Sequence, residues 1–221
     1  MKIVWFGHSS FKITTRDDIS IVTDPYESGA FGGALNYKPI DTNADIITIS
    51  HSHADHNFIQ AVSGNPEVVR ESGEYTIKGI KIIGLDTYHD KSKGRERGEN
   101  VIFIFEADEL RIAHLGDLGC EPSPNIIDVL KGVDILMIPV GGTYTINAKE
   151  ARDLIEKIAP RIVIPMHFKT DAVEFPIDKI DAFISEFGKD HIKNLNTSTY
   201  DTETDGFPEE TQAIILKPLR M

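Results

Sequence analysis

The stretch 51-HSHADH-56 places three of the chain's eight histidines and one aspartate within six positions. Imidazole and carboxylate are the ligands that zinc and its neighbours take. Just before it, DIITIS (45–50) is a near-continuous apolar run, as in a strand buried on both faces. Polar loops that follow such strands often present binding residues. On extended chain alternate side chains point the same way, so His51 and His53 can share one ion. Asp55 and His56 follow as the chain turns and can aim at a second position. A lone histidine here would read as part of a solvated loop capping a helix near Asp55. The density and order of these four residues read as a metal site.

Working outward, short runs rich in β-branched and aromatic residues open the chain: KIVWF (2–6), SFKIT (10–14) and ISIVT (19–23). Pro25 to Asn43 holds glycines and prolines with no period and reads as a long loop. Further strands are expected at KIIGL (81–85), VIFIFE (101–106), LRIAHL (110–115), DILMIP (134–139), RIVIPM (161–166) and AIILKP (213–218). Helices fall between the later ones. SPNIIDVLKG opens on Ser-Pro and ends on Gly. NAKEARDLIEKIAP starts with a capping Asn and puts Ala151, Leu154, Ile155 and Ile158 on one face. PIDKIDAFISEFG repeats the pattern with Ile180, Phe183, Ile184 and Phe187. Strands first and strand–helix alternation later predict an α+β or α/β layered molecule, two sheets sandwiched between helices.

The 221 residues suffice for a substantial core, with no repeat or linker to divide them, so a single domain over 1–221 is expected. No apolar run approaches the roughly 20 residues that span a bilayer, and the run between Lys2 and Gly7 is too short for a signal peptide. The lone Cys120 rules out an internal disulfide and suits a reducing cytoplasm. A net charge of −12 argues against a general nucleic-acid binder. A homo-oligomer is compatible with all of this.

HSHADH also matches the His-x-His-x-Asp-His signature of the metallo-β-lactamase superfamily at every position. WFGHSSFKI (5–13), VTDPY (22–26), TYHD (87–90), HLGDLG (114–119), IPVGGTYTINAKEA (138–151) and IVIPMHFKT (162–170) follow in order. Together they resemble the small metal-dependent hydrolases of its ascorbate-6-phosphate-lactonase-like branch. The resemblance covers nearly the whole chain and implies a four-layer αββα sandwich. It also implies two divalent metal ions, zinc foremost, with manganese and iron suiting the same ligands. By the resemblance His51, His53 and His89 form one metal site, Asp55, His56 and His167 the other, and Asp117 bridges them. His89 and His167 follow expected strands, and Asp117 lies between glycines that allow a tight turn. A carboxylate is the natural bridge between ions roughly 3.5–4 Å apart.

His8, in the GHS opening, is read as lining the pocket, and His191 as a surface residue. His114 competes with His89, since some branches place the third histidine differently. Cys120 ligates in some metallo-β-lactamases, but with Asp117 three residues earlier it reads as a small buried side chain. Asn57, where many relatives carry glycine, should alter the local turn without removing a ligand.

The implied chemistry is hydrolysis by a hydroxide generated on the metals and oriented by Asp55, with no serine or cysteine nucleophile. The expected substrate is a small ester, lactone or phosphoester. Lys91, Lys93, Arg95 and Arg97 beside His89 can draw an anionic one, or merely solvate a loop. Tyr144 or Thr143, in GGTYTIN, can donate a hydrogen bond to it. Rival readings are a phosphodiesterase or nuclease of the same fold, a flavin-dependent di-iron oxidoreductase, and a non-catalytic metal-binding interaction module. The acidic balance and the lack of room for a gripping module weigh against the nuclease. The oxidoreductase usually carries glutamate where His53 stands and an attached flavin domain. The intact ligand set weighs against the module. The acidic segment 200–211 reads as a solvated loop before the last strand.

Overall fold

The computed structural model describes residues 1–220. In chain order the strands are β1 (Lys2–Gly7), β2 (Ser10–Thr14), β3 (Ser20–Thr23), β4 (Thr42–Asn43), β5 (Ile46–Thr48), β6 (Val62–Ser63), β7 (Glu67–Val69), β8 (Gly73–Ile77), β9 (Ile80–Tyr88), β10 (Glu99–Ala107) and β11 (Leu110–His114). The rest of the chain adds α1 (Pro124–Leu130), β12 (Ile135–Pro139), α2 (Ala148–Ile158), β13 (Ile162–Met166), α3 (Ile180–Phe187), β14 (Ile192–Asn194), β15 (Thr199–Asp201) and β16 (Gln212–Ile215).

Two mixed sheets form, in the orders β15-β1-β2-β3-β5-β7 and β14-β16-β13-β12-β11-β10-β9-β8. Each begins with antiparallel hairpins and continues with parallel strands. Their facing sides share one core, in which Ile3, Trp5, Phe11 and Ile46 meet Ile82, Phe103, Phe105 and Met137. Ile46 belongs to this core while Ile47 is buried on the opposite face, as the apolar run at 45–50 requires.

The helices join the same core as the eight-stranded sheet. In α2 the side chain of Asn147 accepts from Glu150 N and Glu150 accepts from Asn147 N, a reciprocal cap. Its Ala151, Leu154, Ile155 and Ile158 are all buried. In α3 only Phe183 is buried. The outer face of the six-stranded sheet carries a separate apolar cluster of Phe6, Val22, Tyr26, Leu35, Tyr37, Ile47 and Val173. Among the described residues no α-helix contributes to it, so that outer layer is built by the long loop after Pro25 and by residues 172–177. Beyond His56 the chain likewise makes only a 3-10 turn, Ile59–Ala61.

The layers bring the C-terminal ends of strands from both sheets to one edge. The residues following β1, β5, β9, β11 and β13 gather there, where layered α/β molecules bind ligands. His8 and His167 both take left-handed backbone conformations, with φ of 52°, and His167 N donates to His8 O across 3.2 Å. Such φ values are unusual outside glycine and are held here by the surrounding packing.

Candidate metal centre

The structure brings all seven metal-ligand candidates together in two groups. His51, His53 and His89 converge so that one nitrogen of each lies within 4.8 Å of the others. Asp55, His56 and His167 do the same, joined by His8. Asp117 lies between the groups. Its Oδ2 is 3.2 Å from His56 Nε2, 3.2 Å from His167 Nε2, 3.4 Å from His89 Nε2 and 3.9 Å from His51 Nε2.

Backbone glycines permit this closeness. Gly116 turns the chain at φ +56° against Asn100 and Ser50, where a Cβ would lie 2.5 Å from Ser50 Cβ. A Cβ on Gly119 would collide with the backbone of His89. Asn100, fully buried, accepts from Asp117 N at 2.9 Å and donates to Leu115 O at 3.0 Å and Thr87 Oγ1 at 2.8 Å. It thereby sets the height of Asp117, and no local sequence signal marks it.

Asp24 is the other residue the sequence reading passed over. It is fully buried and accepts from Ser50 N (2.7 Å), Ser50 Oγ (2.5 Å) and His56 Nδ1 (2.8 Å). With Nδ1 held by Asp24, Nε2 is the nitrogen that His56 would offer to a metal at the centre. Asp24 lies in VTDPY, but a buried carboxylate and a turn aspartate look alike in sequence.

Electrostatics favours a cation here. Burial, reinforced by neighbouring imidazoles, pushes His51 down to about 3 and His8 down to about 4, leaving neutral rings. For His56 burial also opposes the charge, but Asp117 and Asp55 outweigh it and hold its pKa well above the usual value. Burial would raise Asp117, yet His167 and His56 keep it well below the usual range. Asp55 Oδ1, Asp117 Oδ1 and His56 Nε2 are buried without a hydrogen-bond partner. Leaving such a group unpaired costs about 1–3 kcal/mol, and more for a charge. Divalent ions held by these residues would satisfy all three, so the side chains present fit the metals expected of them.

A family model described as a β-lactamase superfamily domain matches residues 2–167. The chain belongs to the metallo-β-lactamase superfamily. Among its relatives is a UPF0173 metal-dependent hydrolase of Methanosarcina barkeri, 29% identical over 197 residues, covering 77% of this chain and 84% of that one. A UPF0173 protein of Pyrococcus abyssi is 31% identical over 194 residues, with coverages of 77% and 84%. A Thermotoga maritima crystal structure, described as a candidate Zn-dependent hydrolase of the superfamily, is 33% identical. It superposes with a TM-score of 0.79 over 97% of each chain.

Within this metallo-β-lactamase fold, His114 stands apart from both groups. Its Nε2 donates to Ser9 O at 2.8 Å and its Nδ1 accepts from Gly116 N at 3.2 Å, so both ring nitrogens are spent on backbone. His89, in contrast, faces Asp117 and joins His51 and His53. His8 differs from its expected place. It is fully buried, off the pocket wall, and its Nε2 lies 3.0 Å from Asp55 Oδ2, so it props that carboxylate from behind. Cys120 is half-buried beside Tyr88 O and belongs to neither group. His191 is exposed on a 3-10 turn, and Asn57 Oδ1 accepts from Arg70.

The two groups open into a pocket of about 230 Å³. His53, Asp55, His89, Asp117 and His167 line it together with Phe31, Tyr144, Phe175 and Arg97. Tyr144 is thus part of the pocket wall. The Thr143 hydroxyl is instead donated to Pro176 O at 2.6 Å. Of the four basic loop residues only Arg97 reaches the pocket. Lys91 pairs with Glu150 at 2.5 Å, and Arg95 donates to Ser92 O at 3.0 Å.

Proposed function

We propose that the chain is a metal-dependent hydrolase working with two divalent ions, zinc foremost, on a small ester, lactone or phosphoester. His51, His53 and His89 would hold one ion, Asp55, His56 and His167 the other, and Asp117 would serve both. The observation that carries this reading is the position of Asp117 Oδ2, within 3.2–3.9 Å of histidines from both groups. The names of the Methanosarcina and Thermotoga relatives support it.

When bound, such ions supply Lewis acidity and lower the pKa of water toward neutrality. The protein's own groups do the rest. Asp55, fixed through Oδ2 by His8, presents Oδ1 to the centre, where it would hold an ion and orient the attacking water. Among the described residues lining the pocket there is no serine, threonine, cysteine or lysine, which supports water as the nucleophile. Tyr144 stands at the wall as a hydrogen-bond donor, and Arg97 supplies the positive charge an anionic substrate would meet. The pocket lies below the roughly 300–1,000 Å³ of drug-sized sites, which matches a small substrate. No helix among the described residues is long and apolar enough to cross a membrane. The single cysteine fits work in the cytoplasm.

The test is elemental analysis after controlled metal reloading, beside a hydrolysis screen over aryl esters, lactones and phosphoesters. About two ions per chain, falling in Asp117→Asn, together with metal-dependent turnover of one class, is the expected result. One ion per chain would defeat the dinuclear part. Absence of retained metal would defeat the whole mechanism.

A further inference from the structure

We infer that Arg97 determines specificity in the pocket, taking the anionic group of a substrate whose apolar or aromatic body lies against Phe31, Tyr144 and Phe175. The inference rests on the hydrolase reading and names its substrate class, a small aryl or acyl anion.

The pocket is lopsided. Metal-ligand candidates form one part of it, and a row of three aromatic rings forms another. Phe31 meets Phe175 edge-on at 5.5 Å between ring centroids, and Phe175 meets Tyr144 edge-on at 6.0 Å. Phe31 is 55% exposed and sits at a left-handed φ of 53°. A large ring left in water at a constrained turn beside a cavity is the arrangement of a binding wall. It would regain its apolar burial when a substrate covers it.

Among the described residues Arg97 is the only lysine or arginine in this lining. Its guanidinium carbon lies 5.5 Å from the Tyr144 ring centroid, within the range of cation–π attraction. Among the described residues its side chain makes no hydrogen bond. The nearest carboxylate, Glu96 Oε2, is 3.7 Å away, and Glu96 already accepts from Ser92 Oγ through its other oxygen. A guanidinium held over a ring keeps its in-plane N–H fork for two oxygens of one anion.

The backbone under Arg97 is already ordered. Asp90 accepts from the N–H groups of Ser92 (2.7 Å), Gly94 (3.0 Å), Glu96 (3.0 Å) and Arg97 (2.8 Å), winding the loop around one carboxylate. Because Asp90 adjoins His89, the loop is registered on the candidate metal centre. Little further ordering is then needed when an anion binds.

The experiment is calorimetric titration of the metal-loaded full chain with three probes: 3-phenylpropionate, propionate and 3-phenylpropanol. In the parent protein 3-phenylpropionate should bind tightest. Arg97→Ala should weaken it about tenfold or more while 3-phenylpropanol stays within about twofold. Arg97→Lys should fall between. Phe31→Ala should weaken both aryl probes and spare propionate. Arg97 and Phe31 lie outside the core, and unchanged melting temperatures will show that the variants fold. The proposal is overturned by an unchanged 3-phenylpropionate affinity in Arg97→Ala, by equal losses for both aryl probes, or by propionate binding as tightly as its aryl counterpart. Hydrolysis is scored separately, so a protein that turns over nothing defeats the hydrolase reading while the affinities still decide the role of Arg97.

Discussion

Asp24 Oδ2 and His56 Nδ1 lie 2.8 Å apart with both side chains sealed from solvent. The pair orients His56 from behind, and the same carboxylate anchors Ser50 at the start of the HSHADH loop. Removing an outer partner of a metal-binding histidine typically costs 10–100-fold in affinity. Asp24→Ala should therefore weaken metal binding by about that factor, measured by competition with a chromophoric chelator. Unaltered affinity would mean that packing alone holds His56.

His89 and His114 should part company under mutation. His89→Ala removes a ligand candidate facing Asp117 and should lower the metal retained per chain. His114→Ala strands the carbonyl of Ser9 and the N–H of Gly116. It should cost about 1–3 kcal/mol of stability while leaving metal content intact. Elemental analysis and denaturant unfolding on both variants separate the roles. Metal lost from the 114 variant alone would reverse the assignment.

Gly119→Ala forces a Cβ into the backbone of His89. Overpacking of this kind costs about 1–3 kcal/mol. The displaced segment carries both His89 and Asp90, so the melting temperature and metal content should fall together. A fall in stability with full metal content would show that the strain is absorbed elsewhere.

Chelation should destabilise the fold. A ligand that binds only the native state adds RT ln(1 + [L]/Kd), about 2.7 kcal/mol at a hundredfold excess over Kd. Metal-loaded protein should melt higher than chelated protein, and the gap should widen with free metal. Coincident melting curves would count against any tight site at Asp117.

Replacing Lys91, Lys93 and Arg95 together by glutamine should leave discrimination between charged and neutral probes unchanged, since none of the three lines the pocket. The same titrations read it out. A loss as large as that of Arg97→Ala would show that the loop acts through its overall charge.

Local periodicity made most of the architecture legible. The run KIVWF became β1, SFKIT became β2 with the same limits, and NAKEARDLIEKIAP became α2 with its cap and buried face in place. What escaped were short, mostly exposed edge strands such as Glu67–Val69 and Gly73–Ile77, where too few residues are buried to impose an apolar pattern. The acidic segment after 200 shows the same limit, because its first residues, Tyr200 and Asp201, pair with β1. The outer cover of the six-stranded sheet comes from an aperiodic loop, whose apolar residues bury as well as those on a helix without leaving a periodic signal.

By itself the sequence determined the order of the longer strands and the helices, the family, and the candidates for binding metal. These depend on residue type and near-neighbour spacing, which a linear chain displays directly. Tertiary structure alone decided the partnerships: Asp24 behind His56, His8 behind Asp55, Asn100 under Asp117, and Arg97 rather than its basic neighbours in the pocket. His8 and Asp55 stand 47 residues apart and meet only because strands of one sheet end at the same edge. A contact of about 3 Å between such residues depends on the packing of the whole core.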